Sequence, residues 1–335
     1  MRNAEQGPSF RSAGLITRQV TRAFALVVLV SAAGGAWGQT LLDGPPPQHR
    51  LVYRNSLILR LNPAGLIDDA RISYRYRLYP SESLALRDNF IGIGLAPTVS
   101  PAFGRLGAMV EVQPLTLLQL YAIYEWVQYF GTFNFLQSFP SARSEFGDVQ
   151  LAERGALPAG DPARNYATSG TQLLLGANLQ LKVGPWVARN QLRLARPDFK
   201  LREGDRVLYD IFYDVLAPNR GWFLTNDADV LYAPGSAGFL VGLRWTVTQP
   251  FYGPEHFDPG EPRENLNGMQ RVGPVLAYTF FNRDGAAFNS PTVLVAAQWW
   301  VSHRYRQGQQ VSALLPLFVA AVSFNGDLLP VKAAE

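Results

Sequence analysis

The sequence predicts an all-β chain, a transmembrane antiparallel up-and-down β-barrel of about 12 strands, with 14 as the alternative. Three observations lead there. Segments of about ten residues alternate apolar and polar positions along most of the chain, which gives each strand one greasy face and one mixed face. Aromatic residues gather near the predicted strand ends, where a ring with an apolar body and a polar tip suits a membrane interface. Short turns coexist with a few long connections, the usual asymmetry between the two rims of a membrane barrel. A soluble sandwich would turn the greasy faces inward. A single closed sheet turns all of them outward and leaves no unpaired edge.

The first element is an export signal, predicted over 1–38. Arg2, Arg11, Arg18 and Arg22 form a basic n-region, and the apolar run AFALVVLVSAA at 23–33 is too short for a comfortable membrane span. Ala36-Trp37-Gly38 fits cleavage between Gly38 and Gln39, with a retained N-terminal anchor as the alternative. Losing this segment removes four arginines and one glutamate from a formal charge of +4. The remainder carries 26 basic against 25 acidic residues, so it is near neutral. A nucleic-acid partner would demand a basic footprint on the whole domain, and none is expected.

Residues 39–50, including DGPPPQ, read as a periplasmic linker, followed by a barrel over 51–324. Strands are predicted at 51–61, 71–79, 88–96, 105–113, 118–126, 172–182, 186–196, 207–215, 222–232, 239–248, 270–281, 291–304 and 312–324. Most reach the 9–11 residues or so that a tilted membrane-crossing strand needs. Long loops are expected near 131–168 and 249–267, and 325–335 is read as a C-terminal extension. GIGLAP at 92–97 lacks a full dinucleotide fingerprint and reads as a strand end. Thirteen candidates do not close an even-stranded barrel with both termini periplasmic. Placing both long loops on one rim also breaks the up-and-down parity between 131 and 249, so one candidate is false, missing or split.

With the apolar faces turned to lipid, the alternate residues line the interior. The candidate lumen residues are Arg54, Arg60, Arg71, Arg75 and Arg77 on one wall, Arg189 and Arg193 on a second, and Arg244 singly. The acidic ones are Glu111, Glu125, Asp210, Asp214, Asp227 and Asp229. Opposed charge of this kind either orients polar solutes in a water-filled pore, the basic stripe favouring anions, or pairs up and fills a narrow lumen. Trp126, Trp222, Trp299 and Tyr305 are the candidate interface aromatics.

Cysteine is absent, and His49, His256 and His303 are far apart, so no metal or cofactor site is expected. Ser302 and His303 are adjacent, and neighbours on a strand point to opposite faces, so they make no nucleophile–base pair. His303 is expected in an interface cluster with Trp299 and Tyr305. His256 is expected in a solvated loop, and Asp227 with Asp229 is expected to pair with arginine rather than to do acid–base work. No catalytic constellation emerges.

This pattern resembles the bacterial outer-membrane β-barrel proteins over about 50–324, and the segment ALLPLFVAAVSF resembles their terminal strand, with Phe324 as its aromatic end. The resemblance implies residence in the outer membrane of a Gram-negative bacterium after signal cleavage. It also implies contact with outer-membrane lipids and with the insertion machinery. The expected role is a passive pore for a small polar or anionic solute through a partly Arg-lined lumen. The alternatives are a closed barrel with a structural or loop-mediated binding role and, more remotely, a rim enzyme acting on lipid.

Overall fold

The computed structural model describes residues 46–235, 238–283 and 285–329. The signal region, the cleavage site at Gly38 and Gln39 and most of the linker lie outside them. Twelve long strands form one closed antiparallel sheet. They are β1 (His49–Leu61), β2 (Gly65–Tyr76), β3 (Phe90–Val99), β4 (Phe103–Leu115), β5 (Leu118–Phe130), β7 (Ala167–Val183) and β8 (Trp186–Phe199), then β11 (Trp222–Tyr232), β12 (Phe239–Phe251), β13 (Met269–Thr279), β14 (Asn289–Ser302) and β15 (Leu317–Asp327). Each pairs with its neighbour along the chain, and β1 pairs with β15 to close the ring.

The alternation decides which face goes where. On β5, Leu120, Tyr124 and Trp126 point out and are exposed, while Tyr121, Ile123 and Glu125 point in and are buried. On β3, Ile91, Ile93 and Leu95 point out, and Phe90, Gly92 and Ala96 point in. Every barrel strand carries at least one exposed apolar side chain on its outer face. A belt this large is untenable in water and is the surface a membrane-spanning barrel offers to lipid. Aromatics mark both edges of the belt: Trp126 lies against Tyr124 at 5.5 Å toward one rim, and Trp186 meets Tyr232 across β8 and β11 at 5.1 Å at the other.

The parity conflict resolves at 207–215, which is not a wall strand. The chain there reverses on itself as β9 (Val207–Asp210) and β10 (Val215–Pro218), which pair with each other. Together with β6 (Ser138–Phe139) they make a small sheet of order β10-β9-β6. Asp210 drives the reversal: its carboxylate accepts the backbone N–H groups of Phe212 at 2.8 Å and Tyr213 at 3.2 Å. Asp214 follows with φ of 53°, a left-handed conformation that Asp tolerates better than most residues. Taking this false strand from the thirteen candidates leaves the observed twelve and puts both ends of the barrel chain on one rim.

That rim, the terminus side, carries the short turns at 116–117 and 184–185 and the longer links at 77–89, 233–238 and 280–288. The opposite rim, the loop side, carries 131–166, 200–221, 252–268 and 303–316, two more long connections than expected. Several boundaries also shift. The β2 strand starts at Gly65 and ends at Tyr76, so Arg77 lies past it at the terminus rim, donating to the Pro46 carbonyl. GIGLAP lies inside β3 rather than at its end. The first two residues of β1, His49 and Arg50, come from the expected linker, and β15 runs on to Asp327.

Candidate functional site: the lumen

The four long loop-side connections fold into the barrel mouth. Their centre is the β9–β10 hairpin, in which Val207, Leu208, Val215, Leu216 and Ala217 have no accessible surface. Helix α1 (Asp148–Ala156) braces it: Leu151 is buried in the same apolar cluster, and Arg154 stacks on Phe139 of β6 at 4.3 Å. The acid and base at opposite ends of α1, Asp148 and Arg154, both oppose the helix dipole favourably.

The fit between plug and wall is continuous. Near the loop-side rim each of the twelve wall strands presents a buried inward residue: Arg60, Ile67, Thr98, Phe103, Tyr129, Thr168, Phe199, Phe223, Thr248, Met269, Trp300 and Leu317. Arg60 donates to the carbonyls of Ile211 at 2.5 Å and Phe212 at 2.6 Å, at the hairpin tip. Arg105, 8% exposed, lies 3.6 Å from Asp210 and 4.0 Å from Glu125.

One latch ties three loops together. Arg306 bonds Asp214 at 2.9 Å and Asp148 at 2.7 Å, and reaches Asn62 in the β1–β2 turn at 3.1 Å. Tyr209 donates to Asp214 at 2.8 Å, and His303 Nε2 lies 3.5 Å from the same carboxylate. Burial alone would raise Asp214, but Arg306 and His303 outweigh it and hold the carboxyl well below the usual carboxylate range. Burial pushes the His303 imidazole down, against the opposite pull of Asp214.

Toward the terminus side the interior becomes wet. Here lies a cavity of about 280 Å³, lined by Arg50, Arg54, Arg71, Ser73, Arg75 and Glu111 among others. Its walls carry paired charge. Glu111 accepts from Arg75 at 2.8 Å, Ser73 at 2.6 Å and Gln119 at 2.7 Å. Glycine at position 92 leaves room for this network, since a Cβ there would stand 3.1 Å from the Glu111 side chain and press on it. Around the ring, Asp229 is held by Arg189 at 2.8 Å and Arg244 at 2.7 Å, and Asp227 by Thr246 at 2.6 Å and Arg193 at 3.4 Å. Arg50 and Asp327 pair at 2.7 Å across the β1–β15 seam.

Of the predicted lumen residues, Arg54, Arg60, Arg71, Arg75, Arg189, Arg193, Arg244, Glu111, Glu125, Asp227 and Asp229 sit on inward faces of wall strands. Asp210 and Asp214 do not: they belong to the plug, because the chain turns between them. Trp126, Trp222 and Trp299 lie on outward faces near the loop-side rim. Tyr305 is a correction, 8% exposed and packed edge-on against Phe146 at 5.0 Å inside the plug. His303 is another: it lies inward with Trp300 and Tyr305, not at an interface beside Trp299. His256 is 1% exposed rather than solvated, its Nδ1 accepting from Gly253 N–H and its Nε2 3.0 Å from the Asn219 carbonyl.

Sequence reasoning missed Arg50, Asp69, Arg105, Arg271 and Arg306. Arg105 shares the alternate face with Glu111, and Arg271 shares one with Gly273, so period two could have found both. Nothing local marks Arg306, which acts through contacts distant in sequence.

No family model matches the chain, and no curated protein matches it. Among solved structures it is similar to a KdgM porin, at 7% identity over 83% of this chain and 99% of that one, with a TM-score of 0.36. It is similar to the beta domain of the Bordetella autotransporter BrkA, at 12% identity over 84% of this chain and 99% of that one, TM-score 0.40. It is also similar to OccAB1 of Acinetobacter baumannii, at 8% identity over 88% of this chain and all of that one, TM-score 0.36.

Proposed function

We propose that the protein is a channel for small polar solutes in the outer membrane of a Gram-negative bacterium, described here in a closed conformation. The termini then face the periplasm and the long loops face outward. The observation that carries this reading is the contrast within one lumen: a wet, charged vestibule on the terminus side meets a hairpin that stoppers the loop side. Arg54, whose side chain keeps 47% of its surface accessible, gives that vestibule an exposed cation, as a passage for polar solutes would. Export by a cleaved signal fits this address, as does an insertion machinery that reads Phe324. That residue faces lipid near the terminus rim, packed against Tyr53 and Phe288.

A second reading, a permanently closed barrel whose loops bind a partner, draws support from the unbroken ring of buried wall residues. Planar-bilayer recordings separate the two. Under the channel reading, wild-type protein opens in rare events, and replacing 205–219 by a short flexible link raises mean conductance about tenfold or more. If the deletion variant folds, judged by heat-modifiable gel migration, and still passes no ions, the channel reading fails.

A further inference from the structure

We infer that Arg54 and Arg71 form a binding subsite for a small oxyanion in the terminus-side vestibule. The inference deepens the channel reading by naming a solute class. The two arginines stand directly opposite each other in the β1–β2 register, both inward, and both line the cavity of about 280 Å³. Like charges directly opposed across a sheet repel, so the pair weakens the apo barrel. The other two arginines that line the cavity each have a carboxylate: Arg50 has Asp327, and Arg75 has Glu111. This pair has only Asp69 within ion-pair reach among the described residues, 3.6 Å from Arg54, and Asp69 also accepts from Thr98.

Arg71 is the better-built half. Its guanidinium lies over the Tyr121 ring at 4.8 Å, and its Nε is buried with no hydrogen-bond partner. Tyr121 is held in turn by a notch in the opposite strand, since a Cβ on Gly176 would come within 2.0 Å of the ring. The cationic fork is thereby fixed on a rigid aromatic floor, and it makes no side-chain hydrogen bond or ion pair to any described residue. Ser73 and Asn325, on the same cavity wall, add neutral polar groups.

A planar fork with unmet N–H donors favours an acceptor with two or more oxygens, a carboxylate or a phosphate, over a halide. The volume equals about nine waters at roughly 30 Å³ each, so it suits a monomeric solute and not a folded chain.

Calorimetric titration of the detergent-solubilised full chain tests this directly, with inorganic phosphate, malonate and chloride as probes. Phosphate or malonate should bind more tightly than chloride; phosphate alone would name a phosphate solute and malonate alone a carboxylate one. Arg54→Gln and Arg71→Gln should each weaken that binding about tenfold, and the double variant should abolish it. Arg71→Lys keeps the charge and loses the fork, so it should also bind more weakly while migrating as a folded barrel. Arg189→Gln, outside the cavity, should bind as wild type does. Equal binding by wild type and the folded double variant, absence of oxyanion binding to wild type, or tighter chloride binding overturns the subsite. The titration needs no open pore, so a barrel that binds phosphate and never conducts would sink the channel reading alone.

Discussion

On the loop side of the lumen, Arg60, Arg105 and Arg306 are 6%, 8% and 2% exposed. Each meets a carboxylate or a backbone carbonyl of the plug. On the terminus side, the Arg50, Arg54 and Arg189 side chains keep 30%, 47% and 29% of their surface. The same residue type therefore does two jobs in one tube. In the dry half these three guanidinium groups are structural parts, because an unpaired charge there has no water to retreat to; Arg271, 8% exposed, is the exception, with two of its guanidinium nitrogens buried and without a hydrogen-bond partner. In the wet half water screens the charge, so pairing is optional and an unpaired fork is available to a solute. The difference teaches that burial, not arginine content, separates stopper from vestibule.

The largest expected effect attacks the dry half. Arg306→Leu leaves Asp214 buried beside Tyr209 without its main counter-charge. The hairpin should lose about 3–5 kcal/mol of local stability, measured as faster amide exchange over 207–218, while heat-modifiable migration of the barrel persists. Slow exchange in this variant would mean that apolar packing alone holds the plug.

Gly176→Val probes the boundary between the halves. It forces the Tyr121 ring out of its notch, and overpacking of this kind costs roughly 1–3 kcal/mol. The urea midpoint of the folded barrel should fall, and Tyr121→Ala on the same background should restore part of the loss. An unchanged midpoint would show that the ring has another place to go.

A smaller effect concerns pH. The pKa of His303 is lowered in the folded plug, so its stabilising contribution is complete above about pH 6.5, the unfolded value, and declines as pH falls below it. Asp214 is ionised in both states across that window, and its contribution is lost only at far lower pH. Amide protection of the hairpin should therefore fall as the pH drops from about 7.5 to 5.5, and His303→Gln should flatten the slope.

The smallest effect has the opposite sign. Arg54→Gln in the wet half removes a like-charge cross-strand contact, so it should stabilise the barrel by roughly 0.2–1 kcal/mol at low salt. The gain, read from thermal melts, should shrink as ionic strength rises. A loss of stability would place Arg54 with the structural arginines.

The walls were legible because a membrane barrel writes its geometry at period two. Leu120, Tyr124 and Trp126 against Tyr121 and Glu125 carry the whole orientation of β5 in the chain itself. The plug was illegible for the same reason. Val207, Tyr209, Ile211, Tyr213 and Val215 alternate as well as any wall strand, yet their neighbours Leu208 and Leu216 are also fully buried. A segment enclosed on all sides has no lipid face to betray it. The turn rests on one side chain, Asp210, with no glycine or proline between 207 and 215 to announce it. Tyr305 and His303 were misplaced because an aromatic near a strand end reads alike whether the chain continues outward or folds back.

The seam between β1 and β15 bears on how the protein is made. Leu51 and Asp327 are bonded across it, and Leu328 N–H returns to the Leu51 carbonyl. The first strand of the barrel finds its final neighbour only when the last one is in place. Until then both edges expose unpaired amides that hydrocarbon cannot satisfy. Closure of the ring therefore depends on β15, and a chain truncated before residue 317 should fail to give a heat-modifiable folded barrel.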